Sequence, residues 1–257
     1  MRELTVVFVT QDDPIYVGTF WLEFSKFANE LRENGIEIKK IVVLKPLGKS
    51  SKTELLKQLF NFYGLVDTFK LGLKFIKSNL TKNPMVSVVR DLNTELIYAQ
   101  SVNTNDFVQQ VKEVDIVFSI AASEIFQSTL LNAPKYGCFN IHSGPLPNYK
   151  GMMPVFWQML NGEKKIGITI HKMVEKLDAG EIVLQDFVDI SDVRSLDEAI
   201  KSTKKHAASM VKKFLLTFDD ILRNLSAQER ILQKGSYFSF PSRKHAKQLK
   251  KRGYKLI

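Results

Sequence analysis

The segment "LTVVFVTQDDPIYVGTFWLEFSKFANELRENGIEIKKIVVLK", residues 4–45, decides the fold. It opens on a short β-branched run, Leu4 to Val9, the pattern of a strand buried on both faces. Residues 19–35 then set Phe20, Leu22, Phe24, Phe27, Ala28 and Leu31 largely on one helical face, and Asn34-Gly35 ends that helix. Residues 36–45 read as a second strand. The alternation continues outward, with a helix near 104–112 and a strand "VDIVFSI" at 114–120. Strands alternating with helices predict an α/β fold with a mainly parallel sheet.

Between these units, residues 53–80 form a helical insertion with Phe60, Phe62, Tyr63, Phe69 and Phe75. At helical spacing these aromatics read first as core or lid packing, and second as a substrate or partner surface. Beyond residue 166, "IGITIHKM" and "GEIVLQDFVDI" read as two strands around a loop at 174–180. A long amphipathic helix follows over 195–225, with Ser195 as N-cap and Glu198 at capping-box spacing. The C-terminal stretch reads as a strand, a turn at Pro241, a short basic helix and a final strand. No internal repeat or low-complexity linker is visible.

With 257 residues, 44% of them hydrophobic, the chain suits one large domain or one domain with a small appendage. The N-terminus lacks the pattern of a signal peptide, because Asp12-Asp13 stand where small residues prepare a cleavage site. The most apolar window, 55–76, is interrupted by Lys57, Asp67, Lys70 and Lys74, so no membrane span is expected. The single Cys138 makes no internal disulfide and no zinc site; it reads as a small buried core residue. The expected compartment is the cytoplasm. Charge is lopsided: residues 201–257 hold 15 Lys/Arg against 3 Asp/Glu, a net of +12, while residues 1–200 hold 22 against 24, a net of −2. The basic end is a solvated surface or a contact for RNA, membrane or a phosphorylated substrate.

The first strand-to-helix connection, "TQDDPIYVG", has neither the glycine pattern of dinucleotide sites nor that of phosphate loops, and its carboxylates repel a pyrophosphate. Asp12 and Asp13 read as a helix start, or as a grip on a substrate amine or hydroxyl. Of the four histidines, His206 and His245 sit among lysines and read as exposed. His171 follows the strand "GITI" and is a secondary site candidate. His142 closes the strand-like "CFNI", where open α/β sheets place their sites. Asn140 and His142 are two apart, so on a strand they share a face: an amide to stabilise an oxyanion beside an imidazole to move a proton. Asp178, in a turn closed by Gly180, supplies a carboxylate, which beside an imidazole favours its charged form.

The block 140–185 carries Asn140, His142, Leu146-Pro147, Tyr149-Lys150-Gly151, Pro154, Trp157, Asn161-Gly162-Glu163, Gly167, Thr169 and Leu177-Asp178-Ala179-Gly180. In this it resembles the core of the folate-dependent formyltransferases. The resemblance implies a Rossmann-like formyltransferase core over 1–226, interrupted by the insertion at about 53–80, and a small basic extension over 227–257. It implies an enzyme that uses N10-formyltetrahydrofolate as co-substrate and no metal. By the same resemblance Asn140, His142 and Asp178 are the catalytic residues. Ile120, Ala121, Ala122, Ser123, Val174 and Leu177 would hold the folate. Ser143, Gly144, Tyr149, Lys150 and His171 would hold the acceptor. Lys150 replaces a more usual arginine, and "HSGPLP" departs from the commoner small-residue, Leu-Leu-Pro version.

For the acceptor, the resemblance divides. The transfer-RNA members continue into a further C-terminal domain, the purine members carry a glycine-rich loop after the first strand, and the deformylases carry an N-terminal regulatory domain. None of the three patterns is expected here, which leaves the sugar-nucleotide N-formyltransferases and an amino sugar linked to a nucleotide. A methionyl-tRNA-type or other formyl acceptor is the alternative. From another class, the chain would be a non-catalytic relative whose tail binds RNA or an anionic surface. Nucleic acid is not the expected partner. The C-terminal strand-turn element is a candidate homodimer contact.

Overall fold

Alternate side chains of β1 (Leu4–Gln11) go to opposite sides of a central sheet: Val6 and Phe8 to one helical layer, Val7 and Val9 to the other. The structure, a computed structural model, describes residues 3–44, 52–80, 84–225 and 234–257. After β1 come α1 (Tyr16–Phe24), α2 (Ala28–Glu33), β2 (Ile36–Leu44), α3 (Lys52–Leu80), α4 (Pro84–Leu92), β3 (Glu95–Ala99) and α5 (Asn105–Gln110). Then follow β4 (Ile116–Ile120), α6 (Ser128–Leu131), β5 (Cys138–His142), β6 (Lys150–Gly151), α7 (Pro154–Asn161), β7 (Lys165–Lys172) and β8 (Ile182–Asp189). The chain closes with α8 (Leu196–Leu216), α9 (Phe218–Asn224), β9 (Tyr237–Phe238) and α10 (Arg243–Lys251).

The seven-stranded sheet has the order β3-β2-β1-β4-β5-β7-β8. From β3 to β5 every pairing is parallel; β7 and β8 are added antiparallel. This is the mainly parallel α/β sheet that the strand and helix alternation predicts.

On one face, Phe8 meets Trp21 and Phe24 of α1 edge-on at 5.3 and 5.4 Å, and Phe118 meets Phe214 of α8 at 5.2 Å. Each such fully buried ring contributes roughly 1.5–3 kcal/mol by leaving water. The inward face of α1 is Val17, Phe20, Trp21 and Phe24, whereas Leu22 is exposed, against the expectation that Leu22 belongs to that face. The helix begins at Tyr16 rather than 19, and its phase favours Trp21, whose indole N–H donates to Thr10 Oγ1 at 3.3 Å. The other face holds Phe107, Val111 and Cys138; burial pushes the Cys138 thiol up, as befits a core residue.

A third cluster joins α3, α7, the start of α8 and α10 through Phe62, Phe156, Leu196 and Leu249. The predicted long helix breaks at Thr217 into α8 and α9. Its capping box is present: Ser195 Oγ accepts from Glu198 N, and Glu198 accepts from Ser195 N. The predicted final strand is only an isolated bridge between Lys255 and Ser195. The expected boundary at 226/227 lies outside the described residues. The extension packs back on the core, with α10 against α3 and α7, and β9 against β6.

Candidate active site

A cavity of about 430 Å³ opens at the carboxyl ends of β1, β4 and β5. The register explains its centre. Ser119 of β4, Asn140 of β5 and His171 of β7 stand in one row across three strands. Cross-strand neighbours on one face lie within side-chain reach, so Asn140 Nδ2 donates to His171 Nε2 at 3.2 Å. His171 Nδ1 donates to the Lys172 carbonyl at 3.0 Å, which fixes the neutral tautomer with Nε2 as acceptor. Burial and the neighbouring His142 hold His171 down to about 4, against the pull of Asp178.

His142 ends β5, buried with 7% of its surface exposed. Its Nε2 donates to the Tyr149 carbonyl at 2.7 Å, because a carbonyl only accepts. Nδ1 is thereby turned toward Asp178 Oδ1 at 3.6 Å. Asp178 sits in a left-handed turn at φ 50°, a conformation Asp tolerates better than most residues. Its Oδ2 accepts from Gly151 N at 2.8 Å, and its Oδ1 also faces His171 Nε2 at 3.9 Å. The two ends of the 140–178 block are thus tied together through the Tyr149–Gly151 corner. β9 pins that corner from outside, pairing Lys150 with Tyr237 and Gly151 with Phe238. Gly151 has φ 93°, and a Cβ there would stand 2.3 Å from the Phe238 carbonyl oxygen, so only glycine fits.

Asn140, His142, Asp178, Ala121, Ala122, Val174, Leu177, Ser143 and His171 all line the cavity. Ile120, Ser123, Gly144, Tyr149 and Lys150 do not, contrary to expectation. Ile120 is fully buried in the core. The turn after β4 aims Ala121, Ala122 and Glu124 at the cavity and Ser123 away from it. Gly144 lies beneath the imidazole, where a Cβ would come within 2.8 Å of His142 Nε2. Tyr149 turns its ring outward, stacked on Phe238 at 5.4 Å, with its hydroxyl donating to Glu163 at 3.0 Å. Lys150 is buried in the β6–β9 pair.

Away from the histidines the cavity has two walls. One is largely apolar: Ala121, Ala122, Phe126, Met173, Val174 and Leu177, with Glu124 and Glu175 among them. The other end is polar: Asp13, Tyr16, Tyr63 and Lys204. Asp13 Oδ1 accepts from the backbone N–H of Ile15 and Tyr16 at 2.9 and 3.1 Å, so it starts α1 as well as facing the cavity. Lys204 makes no hydrogen bond or ion pair with the described residues, and burial pushes its ammonium down despite Asp13. The Tyr16 hydroxyl is buried with no partner that meets hydrogen-bond geometry, although Tyr63 stands beside it. Burial raises both phenols, Tyr63 to about 12. Reading the sequence missed Tyr16 and Lys204. Lys204 is one of several lysines on a long helix, and only the packing of α8 singles it out.

A sequence model of the family described as formyl transferase matches residues 66–215. The methionyl-tRNA formyltransferase of Kosmotoga olearia is 33% identical over 152 residues, 58% of this chain and 47% of that protein. The chain spans about half the length of the curated relatives it matches. Among solved structures, a sugar N-formyltransferase from Shewanella sp FDAARGOS_354 superposes with a TM-score of 0.54 at 21% identity, covering 91% of this chain and 76% of that one. An N-formyltransferase from Helicobacter canadensis, in complex with folinic acid and dTDP-3-aminofucose, superposes with a TM-score of 0.52 at 16% identity, covering 92% and 71%. At these identities the superpositions speak for the fold.

Proposed function

This chain belongs to the formyl transferase family, and we propose that it moves a formyl group from N10-formyltetrahydrofolate to the primary amine of a nucleotide-linked amino sugar. One observation carries the reading: a single cavity holds the Asn140, His142 and Asp178 side chains together with a largely apolar wall and a polar end whose Lys204 makes no hydrogen bond or ion pair with the described residues. The apolar wall suits a flat folate ring. The Lys204 end suits the phosphates and hydroxyls of the acceptor. The ligands of the Helicobacter canadensis neighbour belong to the same two classes. In this reading residues 1–226 are the catalytic unit, 227–257 are a basic extension that braces it, and the enzyme works in the cytoplasm.

The geometry suggests a role for each group. Asn140 Nδ2 keeps one N–H on His171 Nε2. Its second N–H is free to meet the formyl oxygen as the attacking amine turns it into an oxyanion. His142 Nδ1 and Asp178 Oδ1 face each other 3.6 Å apart, with a place for one proton between them. His142 takes that proton from the amine as the new C–N bond forms. It returns the proton to the folate N10 as the old C–N bond breaks. Tyr149, through its carbonyl, keeps the imidazole in the tautomer this relay needs.

A second reading is favoured by the sequence relatives, which are methionyl-tRNA formyltransferases. Mass spectrometry separates the two. Purified protein and formyltetrahydrofolate are offered nucleotide-linked 3- and 4-amino sugars, Met-tRNA and glycinamide ribonucleotide. The proposal expects the mass of one formyl group to appear on an amino sugar. Its appearance only on Met-tRNA or glycinamide ribonucleotide would overturn it.

A further inference from the structure

The second half of α3, beyond the break at Gly64 (φ 75°), is amphipathic in the reverse sense for a helix packed on a protein. Asp67 and Lys74 face inward. Asp67 Oδ2 holds Lys250 Nζ of α10 at 2.7 Å, and Lys74 Nζ holds Asp197 Oδ2 at 2.8 Å. Asp197 is buried at the start of α8, and the Lys74 and Lys201 ammonium groups outweigh that burial and lower its carboxyl. Its outward face is apolar. Leu65, Val66, Phe69, Leu73 and Ile76 are exposed by 72, 66, 67, 52 and 55%. At 100° per residue these five fall on one continuous stripe, bordered by Lys70 and Lys77. A monomer gains nothing from such a stripe in water.

The charge beside the stripe indicates what covers it. α10 packs directly against α3 and exposes Arg243, Lys244, Lys247 and Lys251. A second copy laid on this face would bring like charge against like. A polynucleotide would match the cations but leave leucine, valine and isoleucine uncovered. A bilayer with anionic headgroups satisfies both features at once, taking apolar side chains at the acyl boundary and cations at the phosphates. None of the described helices is long and apolar enough to cross a membrane, which is consistent with a helix lying in the interface.

We propose that α3 docks this protein on an anionic lipid surface, its apolar stripe entering the headgroup region and the α10 cations facing the phosphates. The docking stands on the outer face of α3 and does not depend on the acceptor. Tyr63, just before the break, lines the cavity, so the same helix connects the docking face to the site.

The test is flotation of the full chain with vesicles of phosphatidylcholine alone, or with about one-third phosphatidylglycerol. The expected result is flotation with the anionic vesicles only, lost on raising salt. The triple variant Phe69→Ser, Leu73→Ser, Ile76→Ser should float at least about tenfold less while melting at an unchanged temperature, because all three side chains are more than half exposed. Lys244→Gln and Lys247→Gln should each lower partition about fivefold. Absence of flotation with anionic vesicles, or equal flotation of the triple variant, would overturn the proposal. So would a dimer in sedimentation velocity that the triple variant abolishes without any flotation, which gives the face to a second copy. A salt-sensitive RNA shift without flotation would give it to nucleic acid.

Discussion

At the Asn140 end of the cavity the polar side chains are tied to one another or to backbone; at the Lys204 end two, Tyr16 and Lys204, have no hydrogen-bond partner among the described residues. Asn140 is held by His171, His171 by the Lys172 carbonyl, His142 by the Tyr149 carbonyl and Asp178 by Gly151 N. At the other end the Tyr16 hydroxyl is buried beside Tyr63 with no partner at hydrogen-bond geometry among the described residues, and Lys204 makes no hydrogen bond or ion pair with them. Reacting groups need fixed positions, so their partners come from the protein. Groups that grip a ligand must be left open until it arrives, at a cost in stability of about 1–3 kcal/mol for each buried unpaired group. On the proposed function, the contrast separates chemistry from specificity within one cavity.

The comparison breaks most decisively at Asn140. Asn140→Ala should lower the turnover number by about 10²–10³, the usual loss for one oxyanion donor, with little change in acceptor KM. Near-normal turnover in a folded Asn140→Ala protein would remove the amide from the chemistry.

The next effect reads the fixed end through pH. His171 stays neutral in the folded protein to about 4, while the unfolded chain takes up its proton near 6.5. Stability is therefore fully present above that window. It falls as pH drops through it, by roughly 3 kcal/mol at most, and levels off below. Urea unfolding from pH 7 to pH 4 should show this limb. His171→Gln, which can still accept from Asn140, should flatten it.

A smaller effect belongs to the open end. Lys204→Met should raise the acceptor KM about tenfold with turnover largely kept, because it removes binding made equally in ground and transition states. A fall in turnover alone would place Lys204 with the reacting groups. Smallest of all, Tyr16→Phe removes a buried hydroxyl that has no partner at hydrogen-bond geometry among the described residues, and should raise stability by about 1 kcal/mol in a melting curve while weakening acceptor binding. A destabilised Tyr16→Phe would mean that the hydroxyl does have a partner.

Much of the fixed end is legible in the sequence. A strand ending in Asn140-Ile141-His142 places two side chains on one face by local geometry alone, and Asp178 in its turn completes the set. The carboxyl end of a parallel strand is a position that sequence pattern can find. His171 is legible only as a histidine on a strand. Its bond to Asn140 depends on the β5–β7 register, which no local pattern encodes. Other placements have the same origin. Tyr149 and Lys150 look like a basic corner offered to a ligand, yet the pairing of Lys150 and Gly151 with the distant Tyr237 and Phe238 keeps both side chains off the cavity lining. Of the aromatics at 53–80, Phe62 and Tyr63 are buried and Phe60, Phe69 and Phe75 are exposed. Helical spacing shows that such a helix is amphipathic but not which side meets the protein.

The sequence by itself determined the parallel α/β order, the Asn140–His142 pair and the concentration of positive charge after residue 200, because each is carried by periodicity, spacing or composition along the chain. Tertiary structure alone decided that Lys204, Tyr16 and Tyr63 share one end of the cavity and that α3 turns its apolar stripe outward. Those outcomes depend on contacts between segments far apart in the chain. Asp67 meeting Lys250 and Lys74 meeting Asp197 fix the roll of α3, and ion pairs of that kind appear only once the helices have packed.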